Sequence, residues 1–198
     1  MTSQLIISVG REFGSGGHEI AKDLAEHYQI ELLDSNLLTE VAKHKELELH
    51  HLEGLEEKRK IKLFSRTVRG FSSSPEENLA LLQFDYLQKK AAEGNSFVVV
   101  GRCSENILRK FKCLISIFVL ADRKCKMERV MKLYEMSESM AEKYIRERDM
   151  ERKRYHNSFC EGKWGDSRNY DLSVNSSKLG LDETTEMLIE YIDRRRKK

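Results

Sequence analysis

A chain of 198 residues, 34% charged and 39% hydrophobic with a formal net charge of +2, is sized for one domain, or one domain with an insertion, in which charged helices surround a modest core. The near balance of charge argues against general nucleic-acid affinity, and no run approaches the length of a membrane span. Four cysteines (Cys103, Cys113, Cys125 and Cys160) show no Cys-x-x-Cys spacing, and Met1-Thr2-Ser3-Gln4 shows no signal-like character, so the expectation is reduced thiols in a soluble, cytoplasmic protein.

Residues 5–9 are a short apolar, β-branched run suited to a buried parallel strand. A glycine-rich turn follows, Gly10-Arg11-Glu12-Phe13-Gly14-Ser15-Gly16-Gly17, and then a helix from about Gly17 to Gln29 with Ile20, Ala21, Leu24, Ala25 and Tyr28 on one face. Ile30 to Asp34 reads as a second strand, and Ser35 or Asn36 as the start of another helix. His44 to Lys62 is dense in charge. With the loop-like residues after it, the 43–73 stretch is either a helical insertion over the site or a solvated helical hairpin.

Ser74-Pro75-Glu76-Glu77 is a helix start with a capping box, and Gly94 is a stop. Strands are expected at 97–102 and 114–120, helices at 123–134 and about 139–155, a break at Trp164-Gly165-Asp166, a strand at 171–175 and a helix at 182–195. The basic end, Arg194 to Lys198, reads as a solvated helix terminus. Five strands alternating with helices imply βαβ units, a parallel sheet covered on both faces, and a ligand at the carboxyl ends of the strands.

Four stretches carry the chemistry. A glycine turn between a buried strand and a helix brings backbone N–H groups to an anion. The usual phosphate-binding pattern ends in Gly-Lys-Ser/Thr. Here Gly14, Ser15 and Gly16 match the loop, but Gly17 falls at the lysine and His18 at the hydroxyl. Arg11, at the start of the loop, is the preferred substitute for the missing charge over His18, whose place in the first helical turn disfavours a cation. Arg102, ending the most apolar strand, is suited either to clasp a phosphate or to pair a carboxylate. Arg148 and Arg152, one helical turn apart, are either a solvated face or charge aimed at a transferring phosphoryl group. Trp164 is core or hinge, and Tyr170 and Asp171 are placed to orient the arginines. The histidines form no metal set: His50 and His51 face different ways, and no cysteine or carboxylate stands at ligand spacing.

In this order, Ile6 to Gly17, Val99-Val100-Gly101-Arg102-Cys103, Arg148-Asp149 with Arg152 and Arg154, and Asn169 to Gly180 make the chain resemble the cytidylate kinase-like family, relatives of nucleoside monophosphate kinases. The resemblance implies an α/β fold of the P-loop NTPase kind, a three-layer α/β/α arrangement on a parallel, roughly five-stranded sheet. It also implies an acceptor-binding insertion at about 35–73 and a lid at about 139–168. It implies ATP and Mg2+ as cofactors and a small nucleotide as substrate, with no nucleic-acid or membrane partner. Arg11, Gly14, Ser15, Gly16, Gly17 and His18 would line the donor phosphates. Asp34, Arg102, Arg154 and Asp171 would attend the acceptor, and Arg102, Arg148 and Arg152 would neutralise the transferring group. Cys103 stands where the family's Gly-Arg-Asp has its Asp. A nucleotide-binding module without catalysis, and a scaffold without ligand, are the competing expectations.

Overall fold

Apolar runs without alternation become interior strands of a sheet buried on both faces. In the computed structural model, which describes residues 4–34 and 75–197, five strands form: β1 (Ile6–Arg11), β2 (Glu31–Leu33), β3 (Phe97–Val100), β4 (Leu114–Leu120) and β5 (Leu172–Asn175); β1, β3 and β4 are such interior runs, and β2 and β5 are the edges. All neighbours are parallel, in the order β2-β3-β1-β4-β5. β1 is central, with Ile6 in register with Phe97 on one side and Leu114 on the other.

The described helices are α1 (Gly17–Tyr28), α2 (Pro75–Ala92), α3 (Ser104–Ile107), α4 (Arg123–Tyr134), α5 (Glu138–Phe159) and α6 (Leu181–Arg196), with a 3-10 turn at Ser167–Asn169. The two-residue period of β1 sends alternate side chains to opposite faces. Ile7 and Val9 pack with Ile20 and Leu24 of α1 and with Leu188 and Ile192 of α6. Ile6 packs on the other face with Leu87 of α2, Phe97 and Leu108. Ser8 shares that second face, where its hydroxyl bonds that of Ser104 at 2.6 Å and ties β1 to α3. A third cluster, Met127, Val130, Ala141 and Ile145, joins α4 to α5 and takes in Phe13 of the glycine turn.

The architecture is the expected one. Every expected strand in the described residues is present, β3 ending at Val100 because Gly101 turns left-handed (φ +73°). α5 runs four residues past the expected Tyr155, through a buried His156. α3 and the 3-10 turn were not foreseen; each is a single short turn without a periodic pattern to betray it. The expected 35–73 insertion, the helix start at Ser35 or Asn36 and the Ser74 cap lie outside the described residues. Arg194, Arg195 and Arg196 fill the exposed last turn of α6. No helix among the described residues is long and apolar enough to cross a membrane.

Candidate functional site

The loop after β1 turns twice through left-handed backbone, at Gly14 (φ +77°) and Gly16 (φ +79°), which glycine adopts without steric cost. Ser15 does not face a ligand. Its hydroxyl donates to the Glu12 carbonyl at 2.9 Å, and its own carbonyl accepts from the buried Ser176 hydroxyl at 2.6 Å. The loop is thereby fixed to the end of β5. Arg129 of α4 holds it from outside by donating to the Gly14 carbonyl. Gly17 opens α1, whose first-turn N–H groups have no helical partner and carry the positive end of the dipole.

The missing lysine has a steric counterpart. A Cβ on Gly17 would lie 2.6 Å from Cβ of Arg11 and 3.3 Å from its Cγ. The Arg11 side chain fills the space that a side chain at position 17 would enter. Its guanidinium then passes over Gly101, where an added Cβ would meet Nη1. Arg11 is so enclosed that burial pulls it down to about 9, and Arg152 and Arg102 push the same way while Asp34 opposes them. Burial likewise lowers Arg152. A buried guanidinium pressed by two neighbouring cations makes a site completed by an anion.

Two cavities meet at this cluster. One, of about 280 Å3, is lined by Arg11 to Gly14, Gly16 and Gly17 of the loop, by His18 and by Arg129 and Tyr134 of α4. The other, of about 310 Å3, is lined by Gly101, Arg102, Cys103, Tyr155, Trp164 and Tyr170 among others. Arg11, Asp34 and Arg152 line both. The arrangement is a cleft with two compartments and a shared cationic wall.

α5 lines the cleft and is tied to the loop by Asp149, which the resemblance included without a role, and by Lys126, which the sequence did not single out. Asp149 accepts from the Phe13 N–H at 2.6 Å and from Lys126 Nζ at 2.8 Å, and Lys126 also reaches Glu12 at 3.1 Å. Lys126 is only 8% exposed. Its signal was faint: a lysine flanked by charges on a charged helix reads as solvated until α4 is folded against the loop. Arg152 donates to the Arg11 carbonyl at 3.3 Å and stacks 5.2 Å above the Phe13 ring.

Across the second compartment, Gly101, Arg102 and Cys103 are consecutive left-handed residues, with φ of +73°, +59° and +55°. Two non-glycine residues in that region mark a turn held by its surroundings. Behind it Glu105 and His156 bond at 2.7 Å, both buried. Donor atoms of Glu105, His156 and Cys160 all lie within 4.8 Å of one another. No such set was visible in the sequence, because Glu105 and His156 are brought together only by the packing of α5.

The fold thus gathers Arg11, Gly14, Gly16, Gly17, His18, Asp34, Arg102 and Arg152 around the cleft. His18 sits on the rim, 3.5 Å from Asp34. It does not gather Ser15, whose hydroxyl is turned to Glu12, or three others. Arg148 points outward, donating to Glu151 at 2.8 Å and lying 4.9 Å from the Tyr144 ring. Arg154 is exposed, and Tyr155 and His156 face the compartment instead. Asp171 stands at the amino end of β5, away from the cleft, accepting from the Ser116 N–H at 2.8 Å. Arg148 and Arg152 share a face of α5, but it is the later turn, carrying Arg152, that lies over Phe13, while Glu151 and Tyr144 engage Arg148.

The profile of the cytidylate kinase-like family matches residues 6–178. A crystal structure of an uncharacterized protein from Eubacterium ventriosum is 41% identical, with 96% of this chain and 99% of that chain covered and a TM-score of 0.77. More distant similarity of fold extends to a gluconokinase from Sinorhizobium meliloti (12% identity, coverage of 100% and 96%, TM-score 0.54) and a shikimate kinase from Acinetobacter baumannii solved with shikimate (13%, 100% and 97%, 0.53). No curated protein matches the chain.

Proposed function

Because the chain belongs to the cytidylate kinase-like family, we propose that it transfers a phosphoryl group from ATP to a small acceptor, a nucleoside monophosphate of the CMP type or a similar small molecule. The observation that supports this is the two-compartment cleft with Arg11 on its shared wall. The donor's terminal phosphates lie against the loop N–H groups and the start of α1, where a lysine would ordinarily reach them. Arg11, rooted in β1 and occupying the space in front of Gly17, provides that charge. Arg102 holds the acceptor's anionic group from the left-handed turn after β3. Arg152, on the helix that closes the cleft, neutralises charge as it spreads over the transferring oxygens.

Catalysis of this kind rests on alignment and charge, and no protein nucleophile is required. The enclosure by α5 excludes water, which keeps the phosphoryl group from hydrolysis. Magnesium prefers oxygen ligands, and His18 is a poor replacement for a hydroxyl. Asp34, among the described residues the one carboxylate lining both compartments, fits the need: it would hold the ion beside the donor phosphates, and the ion would add charge neutralisation. The same change at Gly17 and His18 favours a second reading, a nucleotide-binding module without turnover.

Incubation with ATP, magnesium and a panel of nucleoside monophosphates and small hydroxy acids, read by mass spectrometry, tests the proposal. A phosphorylated acceptor is expected, formed in proportion to ADP. Nucleotide binding without turnover on any acceptor, at high enzyme concentration, selects the binding module instead.

A further inference from the structure

Cys103, Glu105, His156 and Cys160 have no part in the phosphate chemistry, yet they form a dense group of titratable side chains beside the acceptor compartment. Glu105 and Cys103 come from the turn after β3. His156 comes from the last turn of α5, and Cys160 is the residue that ends the helix, in extended backbone, its N–H donating to the His156 carbonyl at 2.9 Å. Glu105, His156 and Cys160 are 6%, 5% and 9% exposed. A buried carboxylate is costly unless a cation balances it.

We propose that Glu105, His156 and Cys160 bind a zinc ion, independently of the phosphoryl-transfer reading. Three features argue for it. The donor set of one carboxylate, one imidazole and one thiolate is the kind that zinc takes. Its mutual spacing, within 4.8 Å, brackets the separations of roughly 3.3–3.8 Å that bonds of about 2.0–2.3 Å to one tetrahedral ion impose. The Glu105–His156 contact, now 2.7 Å, opens by about half an ångström to admit it. Charge also balances: one dication against one carboxylate and one thiolate leaves the buried group neutral. The site has an approach, since Glu105 and His156 line both the acceptor compartment and a second cavity on the far side, which Cys160 also lines. Bound there, the ion would fasten the end of α5 to the turn that carries Arg102.

The test uses the full chain without an affinity tag, reduced and stripped with a chelator, then titrated with zinc chloride against a chromophoric chelator and separately with cobalt chloride. One zinc per chain is expected, with a higher Tm. The cobalt form is expected to show a thiolate charge-transfer band and the strong visible absorption of a tetrahedral ion. Cys160→Ser should abolish that band and weaken zinc binding by about 100-fold or more. Should Cys160→Ser not fold, the wild-type cobalt spectrum decides alone. Substoichiometric zinc, cobalt without thiolate absorption, or undiminished binding by a folded Cys160→Ser overturns the proposal.

Discussion

Glycine at position 11 and lysine at position 17 restore two residues of the ordinary phosphate-loop pattern and leave His18 at its hydroxyl position. Gly17→Lys alone places a Cβ 2.6 Å from Cβ of Arg11 and 3.2 Å from Cβ of Val119. Neither atom is the free end of a side chain, so the strain is expected to cost about 1–3 kcal/mol and to lower Tm by roughly 2–12 °C. Arg11→Gly alone removes a charge-assisted bond to phosphate worth about 1.5–3 kcal/mol, which weakens ATP binding roughly 10- to 150-fold. In the double variant the obstructing Cβ of Arg11 is gone, and Gly17, unlike Gly14 and Gly16, has no left-handed backbone to strain a side chain. The two changes should therefore couple favourably by at least about 1 kcal/mol in both Tm and ATP affinity. Thermal melts and titration calorimetry on the wild type, both single variants and the double variant measure the coupling. If the two losses simply add, Arg11 does not stand in for the lysine.

Arg11→Met tests the charge itself. Burial pulls Arg11 down to about 9 in the folded protein, below its ordinary range in the unfolded chain. The unfolded state thus binds the proton more tightly, the cost is full below about pH 9, and it fades only as pH climbs toward the ordinary range of arginine. At pH 7 the variant should melt higher than wild type without ligand and bind ATP more weakly; a lower Tm would contradict the burial argument. Lys126→Met leaves Glu12 and Asp149 without their cation and should cost about 3 kcal/mol, or roughly 6–12 °C in Tm; a shift under 2 °C would show the tie to be idle. Arg148→Ala should change kcat and KM less than about twofold, since its partners are Glu151 and Tyr144 on an exposed surface, whereas Arg152→Ala should lower kcat by about 100-fold or more.

The five strands were legible because each is a short apolar run bounded by polar residues, and parallel order followed from the helices between them. The cleft's chemistry was half legible. Arg11 and Arg102 stand at strand ends, where topology alone delivers them to one rim. Arg152 was found together with Arg148 because spacing sets a face but not which of its turns lies over the loop. The tie between α5 and the loop, Lys126 between Glu12 and Asp149, joins residues 114 and 23 positions apart and leaves no local pattern. Asp171 misled for a related reason: the strand it precedes runs toward the cleft, so its own position is at the far end. The Arg11–Gly17 exchange is a contact across the turn, visible in sequence only as two departures from one motif.

The claim on which the rest depends is that the loop and Arg11 hold the donor's terminal phosphates. Calorimetric affinities for ATP, ADP, AMP and adenosine, with magnesium present, measure this directly in the wild type and in Arg11→Ala. The account predicts affinity falling stepwise from ATP to adenosine in the wild type, and most of that gradient lost in Arg11→Ala. Adenosine binding as tightly as ATP, or a gradient that survives the removal of Arg11, would contradict it.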